Sequence, residues 1–257
     1  MNPVDSKWKQ QYLKTGSFEH EVSRGNVIGA YPTSSYGRVT ITAAASNVSI
    51  QSHDGTVIHV PQSIQMSIVS TSASDSAAGT GIRTVVMEYL NGDLDLSFEI
   101  ITLNGTTPVN TLATDIRWVQ CIHMATSGTG GKAAGTITLT SGGNTYSQIN
   151  AGERTCLSSF RRVPRNKTMY VHSMYAGSSS GTAAASVIVQ LVTSQIDGLD
   201  QQETGFVYPQ AGIALQDSST GLSLDMPLPI GAGHLVGFTV STDKGAIVTA
   251  GLVGWVE

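Results

Sequence analysis

"GIRTVVMEYLNGDLDLSFEIITLNGTTPVNT", residues 81–111, decides the fold class. Its first part is rich in β-branched and aromatic residues. Asn91-Gly92 then supplies two residues that tolerate φ > 0, as the two-residue type I′ loop of a hairpin requires. After that turn Leu94, Leu96, Phe98 and Ile100 fall on one face of an extended strand, and Asp95, Ser97 and Glu99 on the other. The pattern predicts a hairpin with one face in a core and one in water. A second turn, Asn104-Gly105, is followed by Thr106, Thr107 and Pro108, so the strand should stop there and the chain should cross to a new partner.

The same reading extends from residue 40 onward. Short runs such as "RVTITA", "SIQMSIVS", "IRWVQCIHMA", "GTITLT", "TMYVHSMYAG", "AASVIVQLVTSQI", "HLVGFTVST" and "AIVTAGLVGWV" follow one another with turn signals between them, and helical periodicity is absent. In "LSLDMPLPI" Leu222, Leu224, Met226, Leu228 and Ile230 alternate with polar residues and two prolines, which predicts an edge strand with one buried face. Many antiparallel strands, each with one buried face, predict two packed sheets: an all-β, jelly-roll-like sandwich over residues 41–257. Ser/Gly-rich stretches such as "STSASDSAAGTG" and "TSGTGGKAAG" read as loop tips between strands.

Residues 1–40 read as an N-terminal extended arm. Trp8 and Tyr12 sit four apart after a possible Asp5 cap, giving one or two helical turns, and Gly25, Gly29, Pro32 and Gly37 then break any regular pattern. The large rings of the arm, Trp8, Tyr12, Phe18, Tyr31 and Tyr36, need a surface to bury against, their own sandwich or a neighbouring subunit. These five are the candidate interface residues.

Only 12% of the chain is charged, about half of the usual ~25%. Ser, Thr, Gly and Ala take the place of charge, so the surface is hydroxyl-rich and poor at repelling neighbours, which suits a protein built into an assembly. A net charge of -4 and a pI near 5.8 provide no basic footprint for nucleic acid. The most basic stretch, "FRRVPRNK", reads as a solvated hairpin tip, with a subunit contact as the alternative. The start lacks a signal-peptide pattern and no apolar run is long enough to span a membrane, so synthesis without Sec export and no membrane partner are expected. Cys121 and Cys156 fall in predicted strands, as buried free thiols or as a cross-strand disulfide formed after release from a reducing cytoplasm.

Constellations for chemistry are weak. His53, Asp54 and His59 flank an Asp-Gly turn that explains them better than a metal does, and Asp93 with Asp95 lacks the remaining ligands of a calcium loop. Glu88 and its acidic neighbours could pair as glycosidase carboxylates, yet the alternation sends Asp95 and Glu99 into water. There is no G-x-S-x-G, and "GTGG" at 128–131 lacks the context of a phosphate loop. No catalytic, cofactor-binding or metal-binding residue is assigned, and no enzymatic activity or cofactor is expected.

The order of several phrases adds a resemblance. "EVSRGNVIGAYPTSSYGRV", then "GIRTVVMEYLNGDLDLSFEIITLNGTTPVNT", "IRWVQCIHMATSGTGGKAAGTITLT", "INAGERT" and "RNKTMYVHSMYA", with a β-rich end, resembles a family of virion structural proteins of tailed bacteriophages. The resemblance covers nearly the whole chain and is most specific at "LNGTTPV". It implies a β-sandwich repeated many times on a phage particle, made in the bacterial cytoplasm and assembled without export. The expected role is a capsid decoration or cement protein acting through protein–protein contacts, with other virion proteins (a major capsid protein or tail proteins) as partners and a homo-oligomer, such as a trimer, as its state. The alternative is a tail, collar or fibre component that binds the host surface, with Tyr170, Tyr175 and Tyr208 as candidate glycan contacts.

Overall fold

A computed structural model describes residues 18–53, 64–180, 184–194 and 207–257. The chain is all-β with antiparallel sheets; among the described residues the only helix is the six-residue α1 (Phe18–Ser23). Four sheets enclose two separate cores, and the second core belongs to a segment inserted into the first.

The first lobe is built from both ends of the chain. Its strands are β1 (Tyr31–Ile41), β2 (Ala45–Ser49), β10 (Arg161–Arg162), β11 (Met169–Ser179), β12 (Ser186–Ser194), β13 (Val207–Gln216), β14 (Ser219–Ile230), β15 (Leu235–Thr242) and β16 (Ala246–Val256). Sheet I has the order β1-β16-β11-β14, and sheet II runs β2-β15-β12-β13, with the two-residue β10 also on β15. Counting the eight longer strands in chain order, the two sheets read 1-8-3-6 and 2-7-4-5. Their inner faces meet in one core: Met169, Val171, Met174, Val248 and Leu252 from sheet I against Val187, Val189, Leu191, Phe238 and Val240 from sheet II. Period-two side chains on two facing sheets leave no other way to bury both apolar faces. Residues 31–40, read from the sequence as arm, form β1 and pair with β16 along its whole length. Glycines at 25 and 29 break the chain before this strand, whereas Pro32 and Gly37 lie within it, Pro32 near its start on the sheet-edge strand, where a missing donor costs little.

The second lobe is inserted between β2 and β10. It holds β3 (Ser67–Ser70), β4 (Ile82–Leu90), β5 (Leu96–Thr102), β6 (Val109–Asn110), β7 (Trp118–Ser127), β8 (Ile137–Ser141) and β9 (Asn144–Ile149). Sheet III runs β6-β3-β8-β9, sheet IV runs β5-β4-β7, and Ile68, Ile137, Leu139 and Ile149 pack against Val85, Met87, Ile101 and Ile122. The chain does cross between sheets after Asn104-Gly105, because β5 lies in sheet IV and β6 in sheet III. A single sandwich over 41–257 is therefore replaced by two, since the strands of the middle segment find their partners among themselves. Cys121 and Cys156 are joined as a disulfide, with Cα atoms 5.8 Å apart, tying β7 to the returning chain.

The hairpin that set the fold class forms, in a different register. Leu90 pairs with Leu96, where a two-residue Asn91-Gly92 loop would have placed Asp93 opposite it. The shift is three residues, and an odd shift turns every side chain of β5 to the other face. Ile101 and Glu99 now oppose Val85 and Met87 on the inner side, while Phe98 and Ile100 are 61% and 68% exposed. The loop is closed by the Asn91 side chain, whose Oδ1 accepts from the Asp93 and Asp95 amides at 3.0 and 2.9 Å. Leu94 sits there at φ 65°, a left-handed backbone that its burial between the lobes offsets.

Leu90, Leu94 and Trp118 from the second lobe pack with Phe160, Val192 and Leu235 from the outer side of sheet II, forming a junction core. Gln120 stitches it: its Oε1 accepts from the Arg162 amide at 3.0 Å and its Nε2 donates to the Arg162 carbonyl at 2.6 Å. Arg161 donates to the carbonyls of Gln120, Ser158 and Phe160, and Arg162 to that of Gly233. The stretch read as a solvated basic tip is thus the junction between lobes; its first two arginines satisfy carbonyls of the crossing segment, of β7 and of the turn before β15. Burial pulls the Arg161 guanidinium below its ordinary value, and the Glu88 and Tyr175 groups work against that. Gly237 lets Phe160 lie flat on β15, because a Cβ there would fall 2.3 Å from the ring. Gly237→Ala is expected to cost about 2 kcal/mol by overpacking, read as a lower thermal midpoint; an unchanged midpoint would mean that the ring has room to slide.

Candidate assembly surface

Sheet I presents its outer face in rows that cross all four strands. Pro32, Trp255, Tyr170 and Pro229 make the first row, and Tyr36, Gly251, Tyr175 and Gly221 a parallel one further along. Between them run Ser34, Val253, Ser173 and Ser223, and beyond them Arg38, Thr249, Gly177 and Ser219. In the first row the Tyr170 and Trp255 rings stack at 5.2 Å, and Phe18 of α1 meets Trp255 edge-on at 5.6 Å. Val22 is buried on the same side, so α1 lies on this end of the face. Two aromatics at a non-hydrogen-bonded or hydrogen-bonded pair position reach each other across the sheet, which is why the sequence separation of 85 residues is no obstacle.

Of the five candidate interface rings, the structure brings three to sheet I. Phe18 and Tyr36 lie on its outer face, whereas Tyr31 turns inward, half-buried against the first core. Burial, with the Glu88 charge adding to it, pushes the Tyr31 hydroxyl up to about 12. Trp8 and Tyr12 lie outside the described residues. Tyr36 is 43% exposed, with its ring near-parallel to that of Tyr175 at 6.4 Å. The Tyr175 hydroxyl donates to the Ser35 carbonyl at 2.9 Å, and burial, then the neighbouring Tyr36, raises its pKa. Tyr170 joins the first row, and the side chain of Tyr208 lies outside the described ones.

The main cluster that sequence reasoning missed lies on the second lobe. Phe98 and Ile100, expected inside, project from β5, which is an edge strand of sheet IV. Glu99, expected in water, accepts from the Leu112 and Ala113 amides at 2.7 and 3.0 Å and so holds Leu112, 86% exposed, beside this edge. The one available signal was the Ile101 and Leu103 pair, which carries the opposite parity at the end of β5 and just after it and proves to be the buried set. On β14, likewise, Ile230 is buried but Met226 is 84% exposed, because pairing with β11 jumps from Leu228 to Ser223 and leaves the residues between them outside the ladder. β14 is the sheet edge that its prolines predicted.

Among the described residues no group of three His, Cys, Asp or Glu is placed to hold a metal ion, and no helix is long and apolar enough to cross a membrane. Asp54 and His59 lie outside the described residues. His123 pairs with Val86 and Thr155 as a strand residue.

No family model matches the chain, and no curated protein matches it. Solved structures offer remote likenesses. A structure of the Gx strain of infectious bursal disease virus aligns over 88% of this chain and 76% of its own at 9% identity and a TM-score of 0.23. The STIV MCP aligns over 88% of this chain and 96% of its own at 10% identity and a TM-score of 0.20. Both neighbours are viral, and at these scores the likeness carries no argument about what this chain does.

Proposed function

We propose that the protein is a virion structural component of a tailed bacteriophage, a decoration or cement protein that binds other virion proteins. The observation that carries this reading is the apolar edge of the second lobe: Phe98 and Ile100 exposed on β5, whose outer backbone edge has no neighbour among the described strands, with Leu112 exposed beside it. An edge that is neither charged nor covered is a place where another chain adds on. Strand order supports it: 1-8-3-6 facing 2-7-4-5 is the arrangement of a jelly roll with the second lobe inserted between its second and third strands, a double-sheet design that recurs in viral capsid and lectin domains. The low charge of the chain and the ordered phrases of the sequence point the same way. In this reading the protein is made in the host cytoplasm, assembles as a closed homo-oligomer such as a trimer, and uses the aromatics of residues 1–17, Trp8 and Tyr12, as further anchors.

The double substitution Phe98→Ser with Ile100→Ser tests the reading. Both side chains are exposed, so unfolding free energy should change by less than about 1 kcal/mol. Incorporation into particles, followed by quantitative mass spectrometry of purified virions, should fall at least about tenfold, the factor equivalent to 1.4 kcal/mol of lost contact. Normal incorporation would refute the edge as the contact. Imaging of the particles then separates positions: copies over the whole shell mean decoration, and a few copies at one vertex mean a collar, tail or fibre.

A further inference from the structure

We propose that the row Tyr36–Gly251–Tyr175–Gly221 on the outer face of sheet I is a binding ledge for a neutral pyranose of a polysaccharide. Two features of the row make a flat aromatic surface that stays open. The first is glycine between and beside the tyrosines: a Cβ on Gly251 would stand 2.3 Å from the Tyr175 hydroxyl oxygen and 2.5 Å from its ring, so only glycine lets that ring lie down on the sheet. The second is the hydrogen bond from the Tyr175 hydroxyl to the Ser35 carbonyl, which fixes the ring across β16 towards β1. Tyr36 lies near-parallel to it, 20° between planes, and keeps 43% of its surface in water.

A ledge of this kind has a specific chemistry. The faces of aromatic rings are electron-rich, and a pyranose carries one face of C–H groups whose hydrogens are weakly positive, so the two stack. Hydroxyls at the sugar's rim then need partners. The rows on either side supply them from Ser34, Ser173 and Ser223 on one flank and Thr249 and Ser219 on the other, all on the same outer face. The charges near the row are already engaged: Arg38, beside Tyr36 on that face, is bonded to Glu153 at 3.0 Å, and Arg161, whose charge acts on Tyr175, is turned to the carbonyls of Gln120, Ser158 and Phe160. A neutral sugar therefore fits better than a sulfated or uronic one. The first row offers no such ledge, because α1 and Phe18 lie over it. This site is separate from the Phe98 edge, which lies on the other lobe.

Saturation-transfer NMR on the full-length protein, with maltohexaose, mannohexaose and β-1,4-galactohexaose as probes, tests it. Transfer is expected to the ring C–H protons of at least one probe, to fall at least fivefold in Tyr36→Ala, and to persist in Tyr36→Phe, which keeps the ring. An unchanged thermal midpoint in Tyr36→Ala excludes unfolding as the cause. Absence of transfer to all three probes, or equal transfer to the alanine variant, overturns the proposal. Virion incorporation of Tyr36→Ala should be normal, so loss of incorporation would also overturn it by making the row a protein contact, while failure of the Phe98 and Ile100 test would leave the ledge untouched.

Discussion

Asp75→Ala is expected to destabilise the second lobe by about 4 kcal/mol. Asp75 is fully buried and its carboxylate holds four donors: the amides of Ile82, Ala134 and Gly135 at 2.8, 2.9 and 2.8 Å, and the Ser70 hydroxyl at 2.7 Å. Its own carbonyl accepts from Gly105 at 2.7 Å. Three loops are therefore pinned by one side chain: 70–76, the entry to β4, and 133–135. Ala134 and Gly135 lie outside every described strand, and each unpaired buried donor costs about 1–3 kcal/mol. Gly81 makes room for the arrangement, since a Cβ there would stand 2.1 Å from the Asp75 carboxylate. Asp75→Asn keeps the shape but turns one acceptor into a donor facing a donor, and should cost about half as much. Denaturant unfolding followed by circular dichroism reads both; a loss under 1 kcal/mol in Asp75→Ala would mean that water replaces the carboxylate without penalty.

Removing the Cys121–Cys156 bridge is the second large effect. The bond closes a loop of 35 residues that contains β8, β9 and the return to the first lobe. Constraining the unfolded chain over that length is worth about 4 kcal/mol in the chain-entropy model. The double variant Cys121→Ser with Cys156→Ser should therefore unfold at a markedly lower denaturant concentration than the oxidised protein. Both sulfurs are buried, so reductant should act on the native protein slowly and on the partly unfolded protein quickly. The wild type unfolded in the presence of dithiothreitol should match the double variant. Equal midpoints with and without reductant would show that the bridge adds nothing, as when the unfolded chain is already compact.

Much of the fold was legible because period two is a local property. A run such as Val85, Met87, Tyr89 needs a buried face whatever it pairs with, and Pro227 with Pro229 excludes a central strand by chemistry alone. So the sequence by itself determined an antiparallel all-β chain, the edge position of β14 and the crossing after Asn104-Gly105. Register was not local. Whether Leu94, Leu96, Phe98 and Ile100 or Ile101 and Leu103 face inward depended on five loop residues and on a junction core made with Phe160 and Leu235, far away in the chain. The buried roles of Asp75, in a stretch that reads as a polar loop tip, and of Arg161 and Arg162, in one that reads as a solvated tip, were equally invisible, since a charged residue becomes structural only when donors or carbonyls from several segments converge on it. Tertiary structure alone decided that the middle third folds on itself, and that Phe98, Ile100 and Leu112 are left outside beside one edge of it. The physical reason is that alternation fixes how many faces must be buried, while only the meeting of distant segments fixes which face each one turns inward.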